Sequence, residues 1–355
     1  MNIAEKLTTI AENQQKVYDA GFNDGKAQGG DPEVAYKEGE DNAFALVESE
    51  LSDGYTNYDY FFYYHPSEYI DTKLLRHTSS GTSFRYMFHG CNKLKEAPAF
   101  DTTSATNFSN MFYNCTSLTK LPTFDYSNIS TVTNMFYYCS SLTTVSDLDL
   151  STCTEGGSVF YQCTGLTAVS NIKTPKKASY MFYKCSGLTK AVDIGASNCD
   201  DISYMFNGCT SLKEVLNLTL AKNSSRVFYG CSSLEKVLIS GGAPSGTNGQ
   251  YMFYECANLH TIEGLDLSQL TSYSNTFSYC SALENLTLEG KINYTGLNLL
   301  SCSKLTHDSL MSVINALADK SSASGTFKIT LGATNLAKLT EEEKAIMDSK
   351  GWTYA

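Results

Sequence analysis

The chain is short of basic residues, histidine, proline and long apolar runs. It has 355 residues, of which 26 are Lys or Arg and 37 are Asp or Glu, a formal net charge of -11. A nucleic-acid surface needs clustered Lys and Arg, and none is present, so no nucleic-acid partner is expected. No stretch of 18 apolar residues occurs, so no membrane span is expected. Residues 1–30 lack the apolar core of a secretory leader, which points to a protein made without a Sec-type signal. The five His are scattered and no Cys-x-x-Cys pair exists, so neither a metal site nor a cofactor is expected. His-Glu-x-x-His, Gly-x-Ser-x-Gly and a phosphate-cradling loop are absent, and the expectation is a protein that is not an enzyme.

Cysteine, in contrast, is plentiful at 12 residues. Ten of them recur in register, at Cys91, Cys115, Cys139, Cys163, Cys185, Cys209, Cys231, Cys256, Cys280 and Cys302. The gaps are 22 to 25 residues, the period of a solenoid whose units bury their apolar faces only by stacking. Phe stands three residues before the Cys in nine units, and Leu299 does so in the tenth. Cys153 and Cys199 share a second position, ten residues before the next ladder Cys, where other units place Ala105, Ile129 and Leu270. A site that accepts Cys, Ala, Ile or Leu is an apolar core site, where a thiol acts as a small hydrophobe. The cysteines are therefore read as a structural ladder of free thiols.

Numbered from the ladder Cys as zero, apolar residues at -7, -4, -3 and 0 form one stripe. That spacing predicts a short helical turn, α or 3₁₀. Apolar residues at +3, +6 and near +9, such as Leu142, Val145 and Leu148, predict a short strand. The expected fold is an α/β solenoid with one short strand and one short helical turn per coil of about 24 residues, capped at both ends.

The divisions expected are 1–30, an amino-terminal attachment or oligomerisation helix; 31–82, a linker and cap; 83–305, the ten-unit solenoid; and 306–355, an α/β cap. Ile3, Leu7, Ile10, Gln14 and Val17 follow a coiled-coil spacing, so residues 3–17 are a candidate homo-oligomer contact. In the last segment Leu310, Val313, Ile314 and Leu317 share a helical face. Phe327 to Leu331 alternate as a strand, and Thr340 with Glu343 makes a capping box.

The repeats, with Met-Phe-x-x-Cys-x-Ser-Leu and turns such as Asp125-Tyr126-Ser127-Asn128, resemble BspA-like leucine-rich repeats. That resemblance implies a leucine-rich-repeat solenoid used for binding, mostly at microbial surfaces. The opening Ile3 to Asn13, with Gly21 to Lys26, and the closing Leu331 to Thr340 resemble tail-fibre proteins of phages and prophages of gut Firmicutes. This implies a virion receptor-binding component that contacts other tail proteins and recognises a host surface glycan or protein. A bacterial cell-surface adhesin and an intracellular protein-binding scaffold are the alternatives.

Two sets of exposed residues are candidates for contact. Tyr113, Tyr137, Tyr161, Tyr183, Tyr229 and Tyr254 share position -2, and stacking aligns them into a column. They either cover the flank of their own coil or form a ligand-binding strip, since Tyr gives rigid contact area at low entropic cost. Position -1 varies as a solvent-facing site would. Asp101, Asp125, Asp149 and Asp266 share position +10, where an Asx turn is favoured over a cation site.

Overall fold

A computed structural model describes residues 56–70, 72–241 and 246–355. The candidate oligomer contact 3–17, the attachment segment 1–30 and the opening resemblance lie outside the described residues. The chain divides into two compact units, one ending at Thr143 and one running from Thr144 to Ala355.

In both units the segment from -7 to 0 is not a continuous helix. It is a run of hydrogen-bonded turns in which amides alternate between two directions. Met87, His89 and Cys91 donate to the carbonyls three residues back, at 3.3, 3.1 and 3.1 Å. Between them Phe84, Tyr86, Phe88 and Gly90 donate to the next coil, at 3.0, 3.2, 2.9 and 2.7 Å. The same alternation recurs around Ile202 to Cys209. Positions -5 and -1 carry positive φ, for example 56° at Tyr86, 74° at Gly90, 58° at Tyr204 and 73° at Gly208. These are the third residues of type II turns, and a left-handed residue every four positions interrupts a helix. Position -1 is therefore constrained in backbone, and its exposure ranges from buried Gly90 to exposed Tyr138, Lys184, Glu255 and Tyr279.

The core of each coil is Phe at -3, stacked on its neighbours. In the first unit Phe62, Phe88, Phe112 and Phe136 lie 5.1–5.5 Å apart within 11° of parallel. In the second, Phe160, Phe182, Phe206, Phe228, Phe253 and Phe277 continue at 5.4–5.8 Å. Burying each ring stabilises by about 1.5–3 kcal/mol, and each offset pair adds roughly 0.5–1.5 kcal/mol.

Residues 56–65 build a further coil that the cysteine register did not show. Tyr58, Tyr60, Phe62 and Tyr64 donate to Ser83, Arg85, Met87 and His89 of the following coil at 2.7–2.9 Å. Phe62 takes the -3 place, and buried His65 stands where later coils have Cys.

Strands assemble in the second unit. They are β1 (Thr144–Asp149), β2 (Ala168–Lys173), β3 (Lys190–Gly195), β4 (Glu214–Leu218), β5 (Lys236–Ile239), β6 (Thr247–Asn248), β7 (Thr261–Asp266), β8 (Leu270–Ser272), β9 (Asn285–Glu289), β10 (Leu297–Asn298), β11 (Phe327–Thr330) and β12 (Trp352–Tyr354). Seven form one parallel sheet in the order β1-β2-β3-β4-β5-β7-β9. Buried residues fall three apart, as at Val145 and Leu148, because position +8 is left-handed (Asp147 φ 55°, Asn171 50°, Asp193 55°, Asn217 61°) and adds a residue to the pleat. At Gly264 that place has φ 76°, and a Cβ would lie 2.3 Å from the Ile239 carbonyl.

The carboxyl end holds helices α1 (His307–Ala316), α2 (Ala333–Leu336) and α3 (Glu341–Ser349). Leu310, Val313 and Ile314 of α1 are buried, and the Thr340–Glu343 capping box opens α3. Trp352 is buried and its indole N–H donates to Ala318 O at 2.8 Å. Its strand β12 pairs in parallel with β11, a contact the sequence pattern did not show.

Candidate functional site

All twelve cysteines are buried free thiols. The ladder sulfurs also act as donors. Cys115 Sγ donates to Phe88 O at 3.0 Å, Cys209 Sγ to Phe182 O at 3.1 Å, and Cys231 Sγ to Phe206 O at 3.0 Å. Each thus gives the Phe carbonyl of the preceding coil a second hydrogen bond. Burial pushes the Cys185 and Cys302 thiols up to about 12, so they stay protonated and unreactive. Ala105, Ile129, Cys153, Cys199 and Leu270 are buried, as a core position requires.

The -2 tyrosines are all of intermediate exposure. In the first unit Tyr63, His89, Tyr113 and Tyr137 form one stack, with centroid steps of 4.9, 4.6 and 4.7 Å and planes within 20°. In the second, Tyr161 stacks on Tyr183 and Tyr229 on Tyr254, each at 4.7 Å. Tyr183 and Tyr229 do not meet, because Asn207 holds position -2 in the coil between them.

A second column, at -5, runs beside the first. Tyr60 stacks on Tyr86 at 4.8 Å in the first unit. In the second, Tyr180 stacks on Tyr204 at 4.6 Å, and the Arg226 guanidinium lies 5.4 Å from the Tyr204 ring and 4.6 Å from the Tyr251 ring. The columns touch edge-on, as at Tyr180–Tyr183 and Tyr251–Tyr254, both 5.5 Å. The clue was in the sequence: Tyr86, Tyr180, Tyr204 and Tyr251 share an offset three residues before the first column.

Within these stacks the ring faces cover one another, which leaves ring edges and hydroxyls for solvent. Tyr229 and Tyr254 remain phenol donors at neutral pH. Burial raises Tyr229, and burial with Tyr279 raises Tyr254. Burial lowers His89 to about 4, so it is the neutral imidazole near neutrality, and its Nδ1 makes no hydrogen bond.

The +10 carboxylates close Asx turns. Asp101, Asp125, Asp149 and Asp266 accept from the amides two residues on, at 2.9, 2.9, 3.0 and 2.8 Å. Lys173 and the Ser151 hydroxyl and amide hold Asp149 down at about 2. Among the described residues no group of His, Cys, Asp or Glu is arranged to hold a metal. No described helix is long and apolar enough to cross a membrane.

Residues 154–245, 178–267 and 203–326 match the BspA type Leucine rich repeat region. Residues 71–174 match a family described as Mycoplasma protein of unknown function, DUF285. The fold is a BspA-like leucine-rich-repeat solenoid, a class that generally serves as a non-enzymatic binding scaffold. Among solved structures, a leucine-rich repeat protein from Bacteroides ovatus is 20% identical, with 59% of this chain and 70% of that one covered and a TM-score of 0.30. An internalin from Listeria monocytogenes is 14% identical, with 76% and 75% covered and a TM-score of 0.33. A leucine rich cell surface protein from Faecalibacterium prausnitzii is 16% identical, with 60% and 78% covered and a TM-score of 0.21. No curated protein matches the chain.

Proposed function

We propose that this is a non-catalytic recognition protein, a phage or prophage tail-fibre or receptor-binding component that attaches to a host surface glycan or protein. The carrying observation is the pair of tyrosine columns. Tyr86, Tyr180, Tyr204 and Tyr251 all have left-handed backbones, with φ of 56–60°, a conformation that Gly or Asn adopts more readily. Other coils do place Asn there, at Asn110, Asn134 and Asn275. Keeping Tyr at a strained place, with its hydroxyl edge outward, supports a role for the rings beyond closing the coil. Rigid, pre-ordered phenols lose little entropy on binding.

Residues 1–30 would join the protein to other tail proteins, and 3–17 would form its homo-oligomer contact. The divisions at 31–82, 83–305 and 306–355 are kept in this proposal as cap, recognition array and closing cap. The purified full chain should bind whole host cells, and a glycan array should identify saccharide targets. Absence of binding in both assays would remove the reading. The match of residues 154–326 to BspA type repeats equally supports a bacterial cell-surface adhesin. Tail and lysis genes beside this gene favour the first reading, and cell-wall sorting genes the second.

A further inference from the structure

The twelve thiols are buried and unpaired, and most of them are held by contacts that exist only between stacked coils. We infer that the solenoid folds only while these thiols are reduced, and that stacking then closes it to thiol oxidants. Folding therefore precedes any contact with an oxidising space. This constraint is independent of what the surface binds.

Nine ladder sulfurs donate S–H to a Phe carbonyl 25 to 29 residues earlier, at 2.9–3.1 Å in eight of them and 3.7 Å at Cys302. Three of these bonds lie in the first unit, at Cys91, Cys115 and Cys139, and six in the second. Each acceptor belongs to the preceding coil, so no isolated coil can make the bond. The same carbonyls also accept an amide of their own coil: Cys91 N donates to Phe88 O at 3.1 Å, and Cys209 N to Phe206 O at 3.0 Å. Oxidising a ladder thiol removes its hydrogen and leaves a buried carbonyl one bond short.

Nor is there room for a modified sulfur. All ten ladder cysteines are 0% exposed. A mixed disulfide would place a polar group where side chains close on every side, which combines overpacking with desolvation. The two cysteines outside the ladder are also buried. Cys199 Sγ lies 3.3 Å from the Lys176 and Asp201 carbonyls, and burial pushes the Cys153 thiol up to about 11. The folded chain thus offers almost no thiolate, which is the reactive form.

The unfolded chain is the reverse case, with twelve accessible thiols of ordinary acidity. A cysteine thiolate attacks oxidised glutathione, forming a mixed disulfide and releasing one glutathione thiolate. A second cysteine thiolate displaces the other glutathione. Two cysteines are oxidised to one disulfide, one oxidised glutathione is reduced to two glutathiones, and the two thiol protons pass to the released thiolates. Thiols stay reduced where proteins are made and are oxidised in export spaces. The geometry therefore points to a solenoid completed inside the producing cell, as a virion part assembled there would be.

The test uses the full chain. An aromatic disulfide reagent should label the native protein at least about a hundredfold more slowly than the same protein in guanidinium, where all twelve thiols react. Chain unfolded in guanidinium with oxidised glutathione and then diluted should regain native melting behaviour in at least about tenfold lower yield than chain kept with dithiothreitol. Returning the oxidised sample to guanidinium with dithiothreitol before dilution should restore the yield. Cys153→Ala with Cys199→Ala keeps the ladder and should keep the same sensitivity. Equal yields and melting temperatures from oxidised and reduced chain would overturn the inference. So would rapid labelling of native ladder thiols, or a loss that dithiothreitol does not reverse. Whole-cell binding, read on the reduced and refolded sample, fails or survives separately and bears on the recognition reading alone.

Discussion

The two units use the same turn ribbon and the same phenylalanine stack, yet among the described residues only the second forms a sheet. The difference lies at position +7. In the first unit that place is Pro98 and Pro122, whereas the second has Ser146, Ser170, Val192, Leu216, Leu238, Glu263 and Thr287. Proline donates no amide hydrogen and is excluded from central strands. At the strand position the coils of the first unit accordingly meet through isolated bonds such as Thr119 N to Lys95 O at 3.1 Å, whereas the bridges at position -8, such as Ser83–Asn107, recur in the second unit, as at Glu155–Lys177. The second unit carries the seven-stranded ladder. The turn ribbon with its Phe stack is thus the shared determinant of stacking, and the sheet is an addition to it.

The largest expected effect tests what is shared. Phe112→Ala in the first unit and Phe206→Ala in the second should each cost about 3–5 kcal/mol in denaturant unfolding. A small loss in one unit alone would show that the stack is not common to both. Next, Val192→Pro in central strand β3 should cost about 2–4 kcal/mol, through a lost ladder bond and an acceptor left without its donor. Pro122→Ser should change stability by less than about 1 kcal/mol, since no ladder exists there to complete. Equal effects would remove the explanation by proline.

Much of this was legible in the sequence. The ladder Cys, the Phe or Leu at -3 and the Leu at +3 named buried residues in all ten counted coils, and the apolar residues at +6 did so from Val145 to Leu286, whereas Ala97 and Leu121 are only partly covered. The capping box at Thr340 named the start of α3. Three things were hidden by physics that letters do not carry. Apolar spacing at -7, -4, -3 and 0 fits a helix, but a type II turn followed by another turn places the same residues inward. Only Gly and Asn at -5 and -1 hint at it. The coil of residues 56–65 escaped because His65 replaces the counted Cys. The thiols were read as small hydrophobes, although their S–H groups complete the bonding of buried carbonyls. Of the proposed contact surface, the column at -2 was visible and its neighbour at -5 was not, because Tyr is an unexpected residue at positive φ.

Acid should separate the units further. His89 is lowered from about 6.5 to about 4 by burial, so the unfolded chain takes up its proton first as pH falls. Its contribution is complete above pH 6.5, falls between 6.5 and 4, and is gone below that. The loss should be on the order of 2–3 kcal/mol. His89→Tyr restores the ring found at this position in seven other coils and should flatten the acid limb of melting curves read on the first unit. A limb unchanged by that substitution would assign the acid loss to other groups. A smaller effect is expected at Cys209→Ala, about 1–2 kcal/mol, from a lost S–H bond and a small cavity. A loss no larger than that of an exposed Ser→Ala control would show that the thiol is only a space filler.

The central claim is that the scaffold and the contact surface are separate sets of residues. The double substitution Tyr180→Asn with Tyr204→Asn tests it most directly, because Asn suits the left-handed backbone and touches nothing in the core. Melting temperature and whole-cell binding should be measured on the same preparation. A melting temperature within a few degrees of the parent, together with lost cell binding, is the predicted result. A large drop in melting temperature with cell binding retained would contradict the account.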